Sequence, residues 1–181
     1  MEVKLSDILT PRRLSSQEVK EVLKKEQVHI YLSGPISFAE DLQDYRRQLK
    51  EGLLKISQKF VIHDPWEREQ VESKDCDGDP ELEELRHKAE KVIIRDLEDI
   101  CNCDLVLAYM FRIGAGTSME IFWANRILRK PVILIYQPAE EVRGPVPLWL
   151  VGHSNLILYS KRSLYSWLRK TLEEISNERG N

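Results

Sequence analysis

The stretch DLVLAYMFRIGAGTSMEIFWANRILRKPVILI, Asp104 to Ile135, runs from an apolar segment through Gly114 and Gly116 directly into Thr117-Ser118-Met119-Glu120. A glutamate there has two readings. In the first turn of a helix it complements the unpaired N–H groups and the positive end of the dipole, and should stay ionised. A carboxylate held in that way is also a nucleophile for an electrophilic carbon. Two glycines on one turn suit a backbone that approaches a ligand closely, or a residue that needs positive φ. Thr117 and Ser118 offer hydroxyls, either to cap the helix or to a ligand.

A second carboxylate, Asp96, lies in IIRDLEDI, at the edge of the helical stripe formed by Ile93, Leu97 and Ile100. By itself such an acid reads as surface charge, and Glu98 and Asp99 read as solvated. Tyr31 and the loop SGPIS, which holds Ser33, Gly34 and Pro35, form a third element; a tyrosine in a central strand commonly serves packing. If strands 28–33 and 104–110 are neighbours, the Gly34-Pro35 turn lies beside the loop of Glu120. Asp64-Pro65-Trp66 ends a further strand and borders the same crevice. His63 and His153 have no serine or cysteine in motif context, and G-x-S-x-G is absent. G-x-G-x-x-G and G-x-x-x-x-G-K-[ST] are absent too, so the dinucleotide and P-loop fingerprints are missing.

These residues need a scaffold, and the alternation of patterns supplies one. VHIYLSGP is a short β-rich run stopped by Gly-Pro. Leu42, Tyr45, Leu49, Leu53 and Ile56 recur at spacings of three and four, which predicts a helix within 39–57. KFVIHDP reads as a second strand. Residues 66–80 are polar, acidic and turn-rich; a loop of that length is expected to be functional or mobile, and a lid is one use for it. From Glu81 to Cys101 the stripe Leu82, Leu85, Ala89, Val92, Ile93, Leu97 and Ile100 predicts a helix. DLVLAYM is apolar throughout, as in a strand buried on both faces. A helix near 117–129, the strand PVILIY, a loop over 137–153, a last strand NLILY and a final helix complete the pattern. Alternating strands and helices give an α/β fold with a parallel sheet, whose ligands bind at the carboxyl ends of strands near a topological switch point. Residues 1–26 read as an N-terminal helical extension laid on the domain 27–181, with Ser15 and Glu18 spaced as a capping box.

Composition narrows the function classes. The 181 residues are long enough for one domain with a full core. A net charge of −3 argues against a nucleic-acid partner. No apolar run reaches the ~20 residues of a bilayer span, so no membrane partner is expected. Cys76, Cys101 and Cys103 make an odd number with no disulfide framework, and Cys101-Asn-Cys103 is too tight for a zinc pair. The expectation is a soluble, cytoplasmic protein with no metal and no cofactor.

Taken together and in order, IYLSGPI, RDLEDICNCDLVLAYM and GAGTSMEIFWANRILRKPVILI resemble the nucleoside 2-deoxyribosyltransferase superfamily, which includes nucleoside 5'-monophosphate N-glycosidases. The resemblance covers residues 28–136, with weaker support to 160. It implies a flavodoxin-like three-layer sandwich around a parallel five-stranded sheet of order 2-1-3-4-5, and a nucleoside or nucleotide substrate. Carried over by position, Glu120 in G-T-x-x-E would be the nucleophile that attacks the anomeric carbon. Asp96 in R-D-L would be the acid/base partner for the departing base, and Tyr31 would orient the nucleophile. Ser33, Gly34 and Pro35 would shape the sugar-side loop, with Asp64, Gly116, Thr117 and Ser118 as further substrate-binding positions. Asn155 in SNLIL matches a segment that helps complete a neighbouring subunit's site, although Ile157 replaces its methionine and the chain continues into another helix. The resemblance also implies a homodimer or higher homo-oligomer.

Cleavage of an N-glycosidic bond builds positive charge on the sugar carbon. One carboxylate can capture that carbon while a second carboxyl protonates the leaving base, the logic of retaining glycoside hydrolysis. Their environments should separate the two pKa values, with a helix N-terminus for Glu120 and an apolar setting for Asp96. Attack by water makes a hydrolase and attack by a second base a transferase. Ser33, Ser37, Arg46, Arg112 and Ser118 are available to a 5'-phosphate, so a monophosphate N-hydrolase is an alternative. A non-catalytic nucleotide sensor would keep the crevice without needing two reactive carboxylates. A plain structural domain would need neither.

Overall fold

The computed structural model of the protein describes residues 5–10, 12–36, 39–67, 82–138, 140 and 144–179. Five strands form one parallel sheet: β1 (Val28–Ser33), β2 (Phe60–His63), β3 (Leu105–Met110), β4 (Val132–Tyr136) and β5 (Leu156–Leu158), in the order β2-β1-β3-β4-β5. β3 and β4 are buried along their whole length, which is why their sequences are apolar without alternation. β1 pairs with both β2 and β3, so Tyr31 lies beside His63 on one side and Val106 on the other.

Two cores lie on the two faces of this sheet. On one face Val28, Ile30 and Leu32 meet helices α2 (Ser16–Leu23), α3 (Asp44–Ile56) and a long C-terminal helix through Val19, Leu23, Tyr45, Leu49, Leu53, Leu164 and Leu168. On the other face Tyr31, Val106, Ala108 and Met110 meet α4 (Leu82–Asn102) at Ile100 and α5 (Ala115–Phe122) at Ile121. A short helix α6 (Leu148–Val151) joins the second core through Leu150, and α7 (Lys161–Arg179) is the C-terminal helix of the first. The result is the three-layer flavodoxin-like α/β arrangement, with a switch point between β1 and β3.

Several local expectations are corrected. A first helix, α1 (Leu5–Leu9), precedes α2. Ser15 is the N-cap of α2 without a side-chain bond, and Glu18 accepts from Arg12 and Asn155 rather than closing a capping box. Within the N-terminal segment, α2 puts the fully buried Val19 and Leu23 into the first core. α3 begins only at Asp44, after a 3₁₀ turn at Glu40–Leu42 that leaves Leu42 half-exposed. On α4, Ile93 and Ile94 are 53% and 50% exposed, and Ala89 is exposed as well. Most of the acidic loop, 68–81, lies outside the described residues, and with it the expected lid.

Candidate active site

The crevice at the carboxyl ends of β1 and β3 brings Glu120 and Tyr31 together. The Tyr31 hydroxyl donates to Glu120 Oε1 at 2.8 Å, and the Ser33 hydroxyl donates to Glu120 Oε2. Tyr31 and Ser33 are alternate residues of β1, so they project from the same face, and a single carboxylate reaches both. Loop packing supports this crossing from the β3 side. A Cβ on Gly114 would stand 3.2 Å from Pro35 Cγ and 3.2 Å from Thr117 Oγ1, so the two loops touch where a side chain would hold them apart. Gly116 has open space around its missing Cβ, room that a ligand can use. Both glycines avoid the left-handed region, so close approach is the reason for them.

Glu120 is the sixth residue of α5, which starts at Ala115 after the N-cap Gly114. The expected place in the first turn is therefore corrected, and so is the expected electrostatics. Burial raises the pKa of Glu120 above the ordinary value. The Ser33 and Tyr31 hydrogen bonds and the Arg46 charge pull it down without cancelling that effect. Tyr31 is raised as well, first by burial, then by the charges of Glu120 and Asp96, so it remains a protonated donor. The Asp96 carboxylate lies near enough for its charge to act on that hydroxyl, and its side chain is 13% exposed. Its position is thus partly buried rather than plain surface. Its neighbour Arg95 stands 3.7 Å from it.

The other expected positions divide. Thr117 is buried behind Gly114, and Ser118 donates its hydroxyl to the Gly114 carbonyl at 2.9 Å, so neither caps α5 in the usual sense. Gly34 is a glycine because the Tyr45 hydroxyl would sit 2.1 Å from its Cβ. Asp64 does not line the crevice as a free acid: it pairs with Arg46 at 2.8 Å, and both side chains are 2% exposed. Asn155 is not brought to the crevice at all. Its amide accepts from Val132 N at the start of β4 and from Asn125 Nδ2, each at 2.9 Å, at the opposite end of the sheet. Ser37 lies outside the described residues.

Arg46 is the residue whose role the sequence reading missed. It was available there as a phosphate ligand; here its guanidinium donates to the Leu32 carbonyl at 3.0 Å, the Gly34 carbonyl at 2.9 Å, Asp64 and Gln43. Gln43 in turn donates to the Pro35 carbonyl at 3.0 Å. This bracket fixes the Ser33–Pro35 loop from below and engages four of the five N–H donors of Arg46. The signal was its helical phase: three before Leu49, it falls on the buried side of α3.

The arrangement can present one desolvated carboxylate, oriented by two hydroxyls, to a carbon entering over β1, with a second carboxyl nearby. Comparison with known proteins agrees in fold. A family model described as nucleoside 2-deoxyribosyltransferase matches residues 30–163. A conserved protein from Enterococcus faecalis V583 superposes with a TM-score of 0.62 at 18% identity, covering 80% of this chain and 98% of that one. A 2-deoxyribosyltransferase from Bacillus psychrosaccharolyticus gives 0.52 at 20% identity, covering 76% and 90%. One from Leishmania mexicana gives 0.50 at 16%, covering 79% and 97%. At such identities these likenesses speak for the fold alone. No curated protein matches the chain.

Proposed function

The chain belongs to the nucleoside 2-deoxyribosyltransferase family, and on that premise we propose that it is an enzyme acting at the N-glycosidic bond of a (deoxy)nucleoside through Glu120. The observation that supports this most is the double hydrogen bond from Tyr31 and Ser33 to one partly buried carboxylate. A purely structural glutamate gains nothing from desolvation, whereas a nucleophile stripped of water is more reactive toward a cationic carbon. In the reaction Glu120 forms a bond to the anomeric carbon as the bond to the base nitrogen breaks, and Asp96 delivers a proton to the departing base. Asp96 then takes a proton back when water, or the nitrogen of a second base, attacks the same carbon and releases Glu120. Tyr31 and Ser33 position the carboxylate throughout. Gly34, Pro35, Gly116 and Thr117 shape the space in which the sugar lies.

Between a nucleoside and its 5'-monophosphate, the hydrogen bonding favours the nucleoside. Of the five groups a phosphate would use, three are engaged, Arg46 with Asp64, Ser33 with Glu120 and Ser118 with its own helix, while Arg112 lies over the Phe111 ring and Ser37 is outside the described residues. Chromatography of a panel of deoxynucleosides and monophosphates, with and without a second base, tests the reading. Base exchange from nucleosides is expected, and base release without an acceptor would instead make it a hydrolase. Turnover of monophosphates alone would overturn the substrate assignment. No turnover from any substrate would overturn the catalytic reading and leave a nucleotide sensor.

A further inference from the structure

The helix that carries Glu120 does not end as an ordinary α-helix. After Phe122 it widens into a π-helical turn, Trp123–Ile127, in which Leu128 N donates to the Trp123 carbonyl at 3.0 Å, five residues back. Such a turn accommodates one extra residue and is rarely favoured by itself. If it relaxed to α-helix with its far end fixed, everything before it would rotate by about 100° about the helix axis. Glu120 lies three residues before the turn, on the same helix, so that rotation would take its carboxylate off Tyr31 and Ser33.

The far end is fixed from an unexpected place. Arg12, in the segment before α2, donates Nη1 to the Asn125 carbonyl at 2.7 Å and Nη2 to the Arg129 carbonyl at 3.2 Å. Arg129 has φ of 58°, a left-handed conformation that a non-glycine residue adopts only when held. Arg12 also pairs with Glu18, and Glu18 accepts from Asn155 Nδ2 at 3.0 Å. Asn155 returns to Asn125 at 2.9 Å, closing a ring of polar contacts around the π-turn. Asn125 and Asn155 are both buried. A cation on the last carbonyls of a helix also satisfies groups the helix itself leaves open.

Residue 12 precedes the segment matched by the family model, which begins at residue 30. We propose that Arg12 is a positioning residue for Glu120: the N-terminal segment clamps the π-turn and so sets the rotation of the helix that presents the carboxylate. The catalytic half of this statement rests on the function proposed above; the clamp itself does not.

The test uses the full chain with Arg12→Ala and the conservative Arg12→Lys. Amide hydrogen exchange over 115–130 reads the clamp without any substrate. Exchange there should quicken in Arg12→Ala by about tenfold or more, the loss expected for charge-assisted hydrogen bonds, with the strands unaffected, and Arg12→Lys should recover part of it. In the same variant kcat should fall about tenfold while KM stays within about twofold, the pattern of a misplaced reacting group rather than lost binding. Unchanged exchange over 115–130 would overturn the clamp, and so would equal quickening across the whole chain. Quickened exchange with unchanged kcat would overturn the positioning role. Asn155→Ala cuts the same ring elsewhere and repeats the exchange test should Arg12→Ala fail to fold. A wild type without turnover would overturn the proposed function, while the exchange measurement would still decide whether the clamp exists.

Discussion

As the proposed nucleophile, Glu120 has to be available as an anion yet poorly solvated. Burial raises its pKa, so its ionisation costs folding free energy. Because the folded value lies above the unfolded one, stability is fully present below the ordinary glutamate range and declines as pH rises through the raised value. Glu120→Gln should therefore raise Tm at pH 8 by roughly 2–4 °C, the equivalent of about 1 kcal/mol for a chain of this size. The gain should vanish near pH 4, and base exchange should be abolished. Thermal scans at both pH values check this; an unchanged or lower Tm at pH 8 would mean that the site is not strained. Tyr31→Phe removes one of the two hydrogen bonds that pull the pKa down, so the acid limb of the rate profile should move to higher pH. The rate on the plateau should fall about 10–100-fold, as for one hydrogen bond to a charged group. A limb that stays in place would refute the assigned pairing.

At the level of elements, the bracket built by α3 makes the sharpest demand. Arg46 and Asp64 form a buried ion pair, and removing one member of such a pair costs about 3–5 kcal/mol because the other charge is stranded. Arg46→Ala should lose that much in urea unfolding. The double variant Arg46→Met, Asp64→Leu should regain most of the stability but little of the turnover, because the Leu32 and Gly34 carbonyls lose their donor and the Ser33–Pro35 loop is released. Full activity in the double variant would show that the bracket serves stability alone. The periodic part of α3 was legible: Tyr45, Leu49 and Leu53 are buried as their spacing requires. Arg46 was not, because a charged residue on an apolar face reads as an outlier until its partner is known, and Asp64 arrives from another strand. Asn155 likewise has partners from other elements. Its segment resembles one that completes a neighbour's site, but hydrogen bonds to Asn125 and Val132 hold it at the amino end of the sheet. The π-turn has no sequence period of its own, so 117–129 reads as plain helix.

For the whole molecule, the parallel sheet followed from apolar runs alternating with helical periods, since parallel strands require crossovers and crossovers cover both faces, while the strand order came from the family resemblance. What periodicity cannot tell is which helix faces remain uncovered in a single chain. The two faces differ in this respect. α3 and α7 expose few large apolar side chains, Leu54 among them at 38%. On the other face α4 exposes Ile93 and Ile94, α5 exposes Met119 at 69%, and α6 exposes Leu148 and Trp149 at 85% and 73%. Apolar surface of that extent, on the helices that carry Asp96 and Glu120 and on α6, is a liability for a monomer and an asset for an assembly. We propose that a second copy of the chain covers it, burying the Ile93–Ile94 ridge of one α4 against its counterpart as a two-fold interface allows. Sedimentation should give a dimer or a larger assembly at micromolar concentration, and Ile94→Glu should shift it at least tenfold toward monomer, since a charge buried at such a contact goes unpaired. A wild type that sediments as a monomer would overturn the self-association. If Ile94→Glu yields a folded monomer that also loses turnover, the site depends on the contact; if the monomer retains full turnover, each chain carries a complete site.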